Sequence, residues 1–205
     1  MSGKIITIAR QFGSGGREAA MRTAKELNIP FYDRELVEMA AEKMGHASVS
    51  VEKVDESALM GFLADYHVPR EPNSVTGYGL SLPDSTYVTQ TIIIETLARK
   101  GPCVIVGRCA DFILKDRTDC LKVFVHADMK FRADRIVRVY GEREKSPEAR
   151  LKEKDKRRAA YYRFYTDMKW GDAANYHVAL DSGVIGIEKC AKVIESLGQH
   201  RTIPA

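Results

Sequence analysis

The chain is poor in cysteine, and none of its four cysteines sits in a Cys-x-x-Cys pair. No histidine clusters with Cys103, Cys109, Cys120 or Cys190 at zinc spacing, which argues against a zinc ribbon or finger. Buried or free reduced thiols of a cytosolic protein are the expected state. Long hydrophobic runs are also lacking: none approaches the roughly 18 residues of a membrane span. No basic stretch followed by a long apolar segment opens the sequence, so a cytoplasmic location is expected. A large charge excess is absent as well. The net charge of +4 favours anionic ligands in general and singles out neither nucleic acid nor a membrane surface. Internal repeats and low-complexity segments do not occur, which excludes a repeat architecture.

What remains is 205 residues of ordinary globular composition, 44% hydrophobic and 29% charged, suited to one domain with a real core. Short β-branched runs alternate with helical patterns. "KIITIA", "NIPFYD", "CVIVG", "CLKVFVHA" and "YHVALD" read as strands. Between them, Arg17 to Leu27, Asp84 to Lys100, Ala127 to Tyr140 and Pro147 to Met168 read as helices, and Val184 to Leu197 closes the chain. Asp84 or Ser85 is the expected cap of the second of these and Gly101 its stop. In the third, Phe131, Ile136 and Val139 are expected to face inward. "RELVEMAAEKMG" predicts a further helix. Ala47 to Pro83, with three prolines and weak periodicity, predicts an insertion of one or two short helices and a long loop. The alternation predicts an α/β fold: a five-stranded parallel sheet with helices on both faces. Ligands of such sheets bind beyond the carboxyl ends of the strands.

The first strand runs into Arg10-Gln11-Phe12-Gly13-Ser14-Gly15-Gly16-Arg17, and a helix follows. Glycines let the backbone turn with positive φ and approach a ligand closely. The helix then directs unsatisfied N–H groups and its positive dipole end at an anion. That is a phosphate cradle, but its lysine is missing. A Walker A template, GxxxxGK followed by Ser or Thr, places Arg10 at the first glycine and Gly15 at the second. Gly16 then stands in the lysine place and Arg17 in the hydroxyl place. Arg17 offers a positive fork for phosphate, and Ser14 a hydroxyl. The hydroxyl that meets magnesium in such loops has no replacement. A tight strand-to-helix turn without a ligand is the plainer alternative.

These segments, in order, resemble the cytidylate kinase-like family, relatives of bacterial cytidylate kinase among the P-loop nucleoside monophosphate kinases. "ITIARQFGSGGRE" is similar to its altered phosphate loop, and "PFYDREL" follows at the expected distance. "VIVGRCADFIL" resembles the kinase's Gly-Arg-Asp segment. "LKVFVHADMKFRADRI" resembles the approach to the lid, and "DKRRAAYYRFYTDMKWGDAANYHVALDS" the lid and last strand. The resemblance spans nearly the whole chain. It implies a single P-loop NTPase or nucleoside monophosphate kinase-like domain over 1–205, with an acceptor-binding helical insertion at about 46–84 and a lid at about 140–170. The sequence departs from the family at Gly16, where the kinase has lysine, and at Cys109, where it has aspartate; Asp111 lies two residues on.

The resemblance implies roles for particular residues. Gly13, Ser14, Gly15, Gly16 and Arg17 would hold the donor phosphates. Asp33, Arg34, Arg108 and Asp111 would face the acceptor. Arg17, Arg158 and Arg163 would neutralise charge during transfer. Other readings stand beside these. Asp33 suits a helix cap, and Arg108, ending an apolar strand, needs either an anion or a carboxylate such as Asp111. Tyr161, Tyr162, Phe164, Tyr165 and Trp170 either stack on bases or pack a core. Arg132, Arg135 and Arg138 form a basic stripe facing solvent or the site mouth. The implied activity is ATP-dependent phosphoryl transfer to a nucleoside monophosphate, cytidylate first, with ATP and phosphate-bound Mg2+ and no protein-built metal site. The alternative is a nucleotide-binding protein with little or no turnover, as the loss of the lysine suggests. Nucleotides are the expected partners. Nucleic acid is disfavoured because Asp134, Glu142, Glu148 and Glu153 interrupt the basic stretch.

Overall fold

In the computed structural model, residues 4–33 and 82–199 are described. Strand β1 (Ile5–Arg10) is followed by helix α1 (Gly16–Glu26) and strand β2 (Phe31–Tyr32). After the undescribed stretch come helix α2 (Leu82–Lys100), strand β3 (Val104–Val106), the short helix α3 (Ala110–Ile113) and strand β4 (Cys120–His126). Helices α4 (Met129–Tyr140) and α5 (Pro147–Thr166) lead to strand β5 (Val178–Asp181). Helices α6 (Ser182–Ile185) and α7 (Ile187–Gln199) end the described chain. The sheet order is β2-β3-β1-β4-β5, and every pairing is parallel. This is the expected five-stranded parallel sheet with helices on both faces.

β1 lies at the centre because its residues can be buried on both sides. Ile5, Ile6, Ile8 and Ala9 are all buried, as suits a strand covered twice. Ile6 and Ile8, with Val104, Val106, Val123 and Val125, pack under Ala19, Ala20 and Ala24 of α1 and Cys190, Ala191 and Ile194 of α7. The opposite face sets Ile5, Ile105 and Cys120 against Ile93, Ile94, Leu97 and Ala98 of α2. Small residues on α1 let that helix sit close to the sheet, and this brings its N-terminus over the end of β1. All four cysteines are buried, and among the described residues there is no disulfide. No helix among them is long and apolar enough to cross a membrane.

Three expectations change at helix ends and faces. α2 begins at Leu82, so Pro83 lies in its first turn, where a missing N–H costs nothing, and neither Asp84 nor Ser85 is the cap. The closing helix is broken at Gly186, whose φ of 83° separates α6 from α7. On α4, Ile136 is buried as expected, but Val139 is half exposed, and Arg132 and Arg135 are buried in its stead. The expected helix after Arg34 and nearly all of the insertion at about 46–84 lie outside the described residues.

Ile194 has no exposed surface and belongs to the cluster that seats α7 against the sheet. Ile194→Ala is expected to lower unfolding stability by about 3 kcal/mol, measured by urea denaturation, with the denaturant slope unchanged.

Candidate functional site: an arginine-ringed glycine loop

The loop between β1 and α1 is shaped by its own hydrogen bonds. Gly13 and Gly15 take φ of 81° and 77°, a region that costs other residues strain. A Cβ on Gly13 would also meet the Arg132 carbonyl oxygen at 3.0 Å. Ser14 is fully buried; its hydroxyl donates to the Gln11 carbonyl at 2.9 Å and accepts from the Gly16 amide at 3.3 Å. Ser14 therefore builds the loop from inside. From below, the Ser182 hydroxyl donates to the Ser14 carbonyl at 2.5 Å, tying the loop to the start of α6. The N-cap residue Gly15 has no side chain to cap α1, and of the first-turn amides the Gly16 amide is taken by Ser14.

Charged side chains from three helices close around this loop. The Phe12 amide donates to Asp155 on α5 at 2.7 Å, and the Phe12 carbonyl accepts from Arg132 on α4 at 3.2 Å. Arg132 and Asp155 pair directly at 2.5 Å, nearly shielded from solvent. Arg158 donates to the Arg10 carbonyl at 2.9 Å and lies over the Phe12 ring, 5.7 Å from its centre. Arg135 reaches Glu18 in the first turn of α1 at 2.7 Å. Burial acts to raise the Glu18 carboxyl, but hydrogen bonds from Arg135 and Arg22 outweigh it, and the net shift is downward. Glu18 is thus held ionised, and its charge is balanced before any anion arrives.

On the other flank, Asp33 at the end of β2 accepts from Arg17 Nε at 2.6 Å and lies 3.5 Å from Arg10. Arg17 also rests over the Phe31 ring. Arg34 lies outside the described residues. Arg108 follows β3 within a run of three left-handed residues: Gly107, Arg108 and Cys109 have φ of 77°, 57° and 54°. Two consecutive non-glycine residues in that region store strain, a feature that concentrates at functional sites. The turn is locked by the Gly107 amide on Ile8 and the Ala110 amide on Gly107.

The remaining candidates fall elsewhere. Asp111 is buried, and its carboxylate accepts from the Tyr162 hydroxyl at 2.7 Å. Arg163 is mostly exposed and pairs with Asp167 at 3.1 Å, near the far end of α5. Tyr161, Tyr162, Phe164 and Tyr165 pack with Tyr87 and Cys109, so these aromatics form a core, and Trp170 meets the edge of Phe124. Of the two directions open to the basic stripe, Arg132 and Arg135 take the one toward the site, and only Arg138 of the three is exposed. The sequence alone does not mark Arg10, Arg132, Arg135 or Ser182 as site residues. The i, i+3 spacing of Arg132 and Arg135 marked a common face but not its direction. A cleft of about 490 Å³ opens beside Gln11, at the carboxyl ends of β4 and β5. Its walls include Phe124, His126, Asp128, Trp170 and Asp181. Among the described residues, no group of three His, Cys, Asp or Glu is placed to hold a metal ion. With the Ser14 hydroxyl turned inward, the loop offers magnesium no side-chain hydroxyl.

Two outcomes follow from this geometry. Asp155→Ala leaves Arg132 buried without its carboxylate and is expected to cost about 3 kcal/mol of stability, read by chemical denaturation. Asp111 gives a pH signature. Burial raises its carboxyl above the ordinary 3.8, and the Tyr162 hydrogen bond only partly opposes this. The folded chain thus holds the proton more tightly than the unfolded chain, so stability falls as pH rises through that window. Asp111→Asn removes this loss, and its stability relative to the parent is expected to grow as the pH is raised from the ordinary aspartate range toward neutrality. A constant difference across that range would contradict the assignment.

Comparison with known proteins places this site in context. Among solved structures, an uncharacterized protein from Eubacterium ventriosum shares 28% identity and superposes with a TM-score of 0.70, covering 97% of this chain and 99% of its own. Shikimate kinase from Acinetobacter baumannii is 15% identical with a TM-score of 0.52, covering 95% and 92%. A gluconokinase from Sinorhizobium meliloti is 16% identical with a TM-score of 0.54, covering 96% and 94%. At those identities the two kinases attest the shared fold alone. No curated protein matches the chain. The family described as cytidylate kinase-like matches residues 5–184, and with its glycine loop, parallel sheet order and converging arginines the chain belongs to the cytidylate kinase-like family.

Proposed function

We propose that this protein transfers the γ-phosphoryl group of ATP to a nucleoside monophosphate, with cytidylate the first acceptor to test. One observation carries the reading: the α1 N-terminus, with glycine at its cap position behind two left-handed glycines, is ringed by Arg10, Arg17, Arg132, Arg135 and Arg158. Amide donors and guanidinium groups, held in place by the protein's own carboxylates, suit a polyphosphate. Phosphoryl transfer asks for positioning and charge neutralisation more than for covalent chemistry, and this site is built of those two things.

In this reading, Gly13 to Arg17 hold the donor phosphates, and the donor's nucleoside occupies the cleft beside Gln11. That cleft has the volume of a small-ligand site, with an aromatic floor and a few polar groups. The strained turn after β3 presents Arg108 to the acceptor phosphate, with Arg34 as its companion. Asp33 orients Arg17 and Arg10 between the two. Arg158 stabilises charge on the group in flight, and Arg163 joins it on closure over the acceptor. Gly16 favours a second reading, a nucleotide binder with little turnover, since the lysine that usually grips the β- and γ-phosphates is absent.

A panel of nucleoside monophosphates with Mg-ATP separates the two. ADP release that depends on one acceptor, reduced at least about 100-fold in Arg108→Ala, supports the kinase. Saturable ATP binding without acceptor-dependent turnover supports the binder. Absence of both sinks the nucleotide reading altogether.

A further inference from the structure

We propose that Arg10 replaces the missing lysine, its guanidinium gripping the polyphosphate of the bound nucleotide. The inference rests on the nucleotide reading of the loop and adds the residue that makes such a loop work without an ammonium group.

Gly16 stands in the lysine place, and its surroundings explain why no side chain grows there. A Cβ on Gly16 would lie 2.6 Å from Arg10 Cβ and 3.0 Å from Val125 Cβ. Both atoms are fixed to adjacent strands, since Arg10 and Val125 are register partners of β1 and β4, so neither can swing away. The stem of Arg10 fills the space a lysine stem would take. From there the side chain runs across Gly107, where a Cβ would come within 2.3 Å of Nη1, and ends at Asp33. Two glycines on separate elements thus leave room for one arginine.

The head of Arg10 lies between the glycine loop and the strained turn that carries Arg108, where phosphates of donor and acceptor would meet. Its side chain is 19% exposed: sunk in the crevice, yet reachable from its mouth. Asp33, held by Arg17 at 2.6 Å, orients it, and the Arg158 bond to its carbonyl fixes its backbone. A guanidinium presents a planar fork that can take two phosphate oxygens at once, where a lysine offers a point charge.

The test is calorimetric titration of the full chain with ADP, alongside thermal melting of each variant. The parent is expected to bind ADP. Arg10→Met is expected to weaken ADP binding by at least about tenfold with adenosine binding unchanged, and Arg10→Lys to restore most of the loss. A further variant relocates the charge. Arg10→Gly should bind as poorly as Arg10→Met, and Arg10→Gly with Gly16→Lys should recover affinity, because removing the Arg10 stem relieves the closer of the two clashes and leaves the 3.0 Å contact with Val125 Cβ, which a shift of a few tenths of an ångström accommodates. Gly16→Lys alone should lower the melting temperature through its clash with Arg10 Cβ. If the parent binds ADP and Arg10→Met binds it equally, the role of Arg10 is overturned while the nucleotide reading stands. The role is also overturned if Arg10→Lys binds ADP no better than Arg10→Met. If the parent itself does not bind ADP, the nucleotide reading has failed first.

Discussion

The site depends on one tether. Asp155 on α5 takes the Phe12 amide and the Arg132 guanidinium, and Arg132 on α4 takes the Phe12 carbonyl. Both backbone polar groups of a single loop residue are thereby held by a buried ion pair. Such a pair contributes little net stability, because desolvation offsets its attraction. Its value is positional: it ties the glycine loop to two helices that come more than a hundred residues later. Without it, the hydrogen bonds of Ser14 and Ser182 alone would restrain a loop that Gly13 and Gly15 make flexible. With it, the amides converge before any ligand arrives, and that preorganisation is what charge stabilisation in a dry site requires.

The same logic governs the rest of the charge. Every arginine placed near the loop has a named protein partner: Asp33, Glu18, Asp155 or a backbone carbonyl. Cations packed this closely repel one another, and the interleaved carboxylates make the cluster affordable in the absence of an anion. They leave it electropositive, since the arginines outnumber them. On the proposed function, an incoming phosphate would meet oriented donors instead of mobile side chains, so less ordering would be left for the moment of binding.

The sheet order gives this cluster two sides. β1 carries the loop at its end, β3 on one flank carries the strained turn with Arg108, and β4 and β5 on the other border the cleft beside Gln11. The parallel arrangement brings all the carboxyl ends to one edge, so residues distant in sequence share a crevice. The left-handed Arg108 and Cys109 are tolerated because the turn is clamped on both sides by backbone hydrogen bonds and Cys109 is buried among tyrosines.

Much of this was legible in the residues themselves. Alternating β-branched runs and helical patterns determined the parallel α/β fold, because a strand buried on both faces must be apolar throughout, as "KIITIA" and "CVIVG" are. The glycines determined where the chain would turn sharply, and the order of segments pointed to the family. Direction was not legible. Arg132 and Arg135 form a stripe that could face solvent or the site mouth until Asp155 and Glu18 are brought against them, because an arginine is buried only where a carboxylate from another element meets it. Gly16 looks like a lost lysine until the stem of Arg10 is seen filling its space. Sequence thus set which elements form and where the cradle lies; tertiary packing alone decided which charges face it, since side-chain direction on a helix is chosen by what lies opposite.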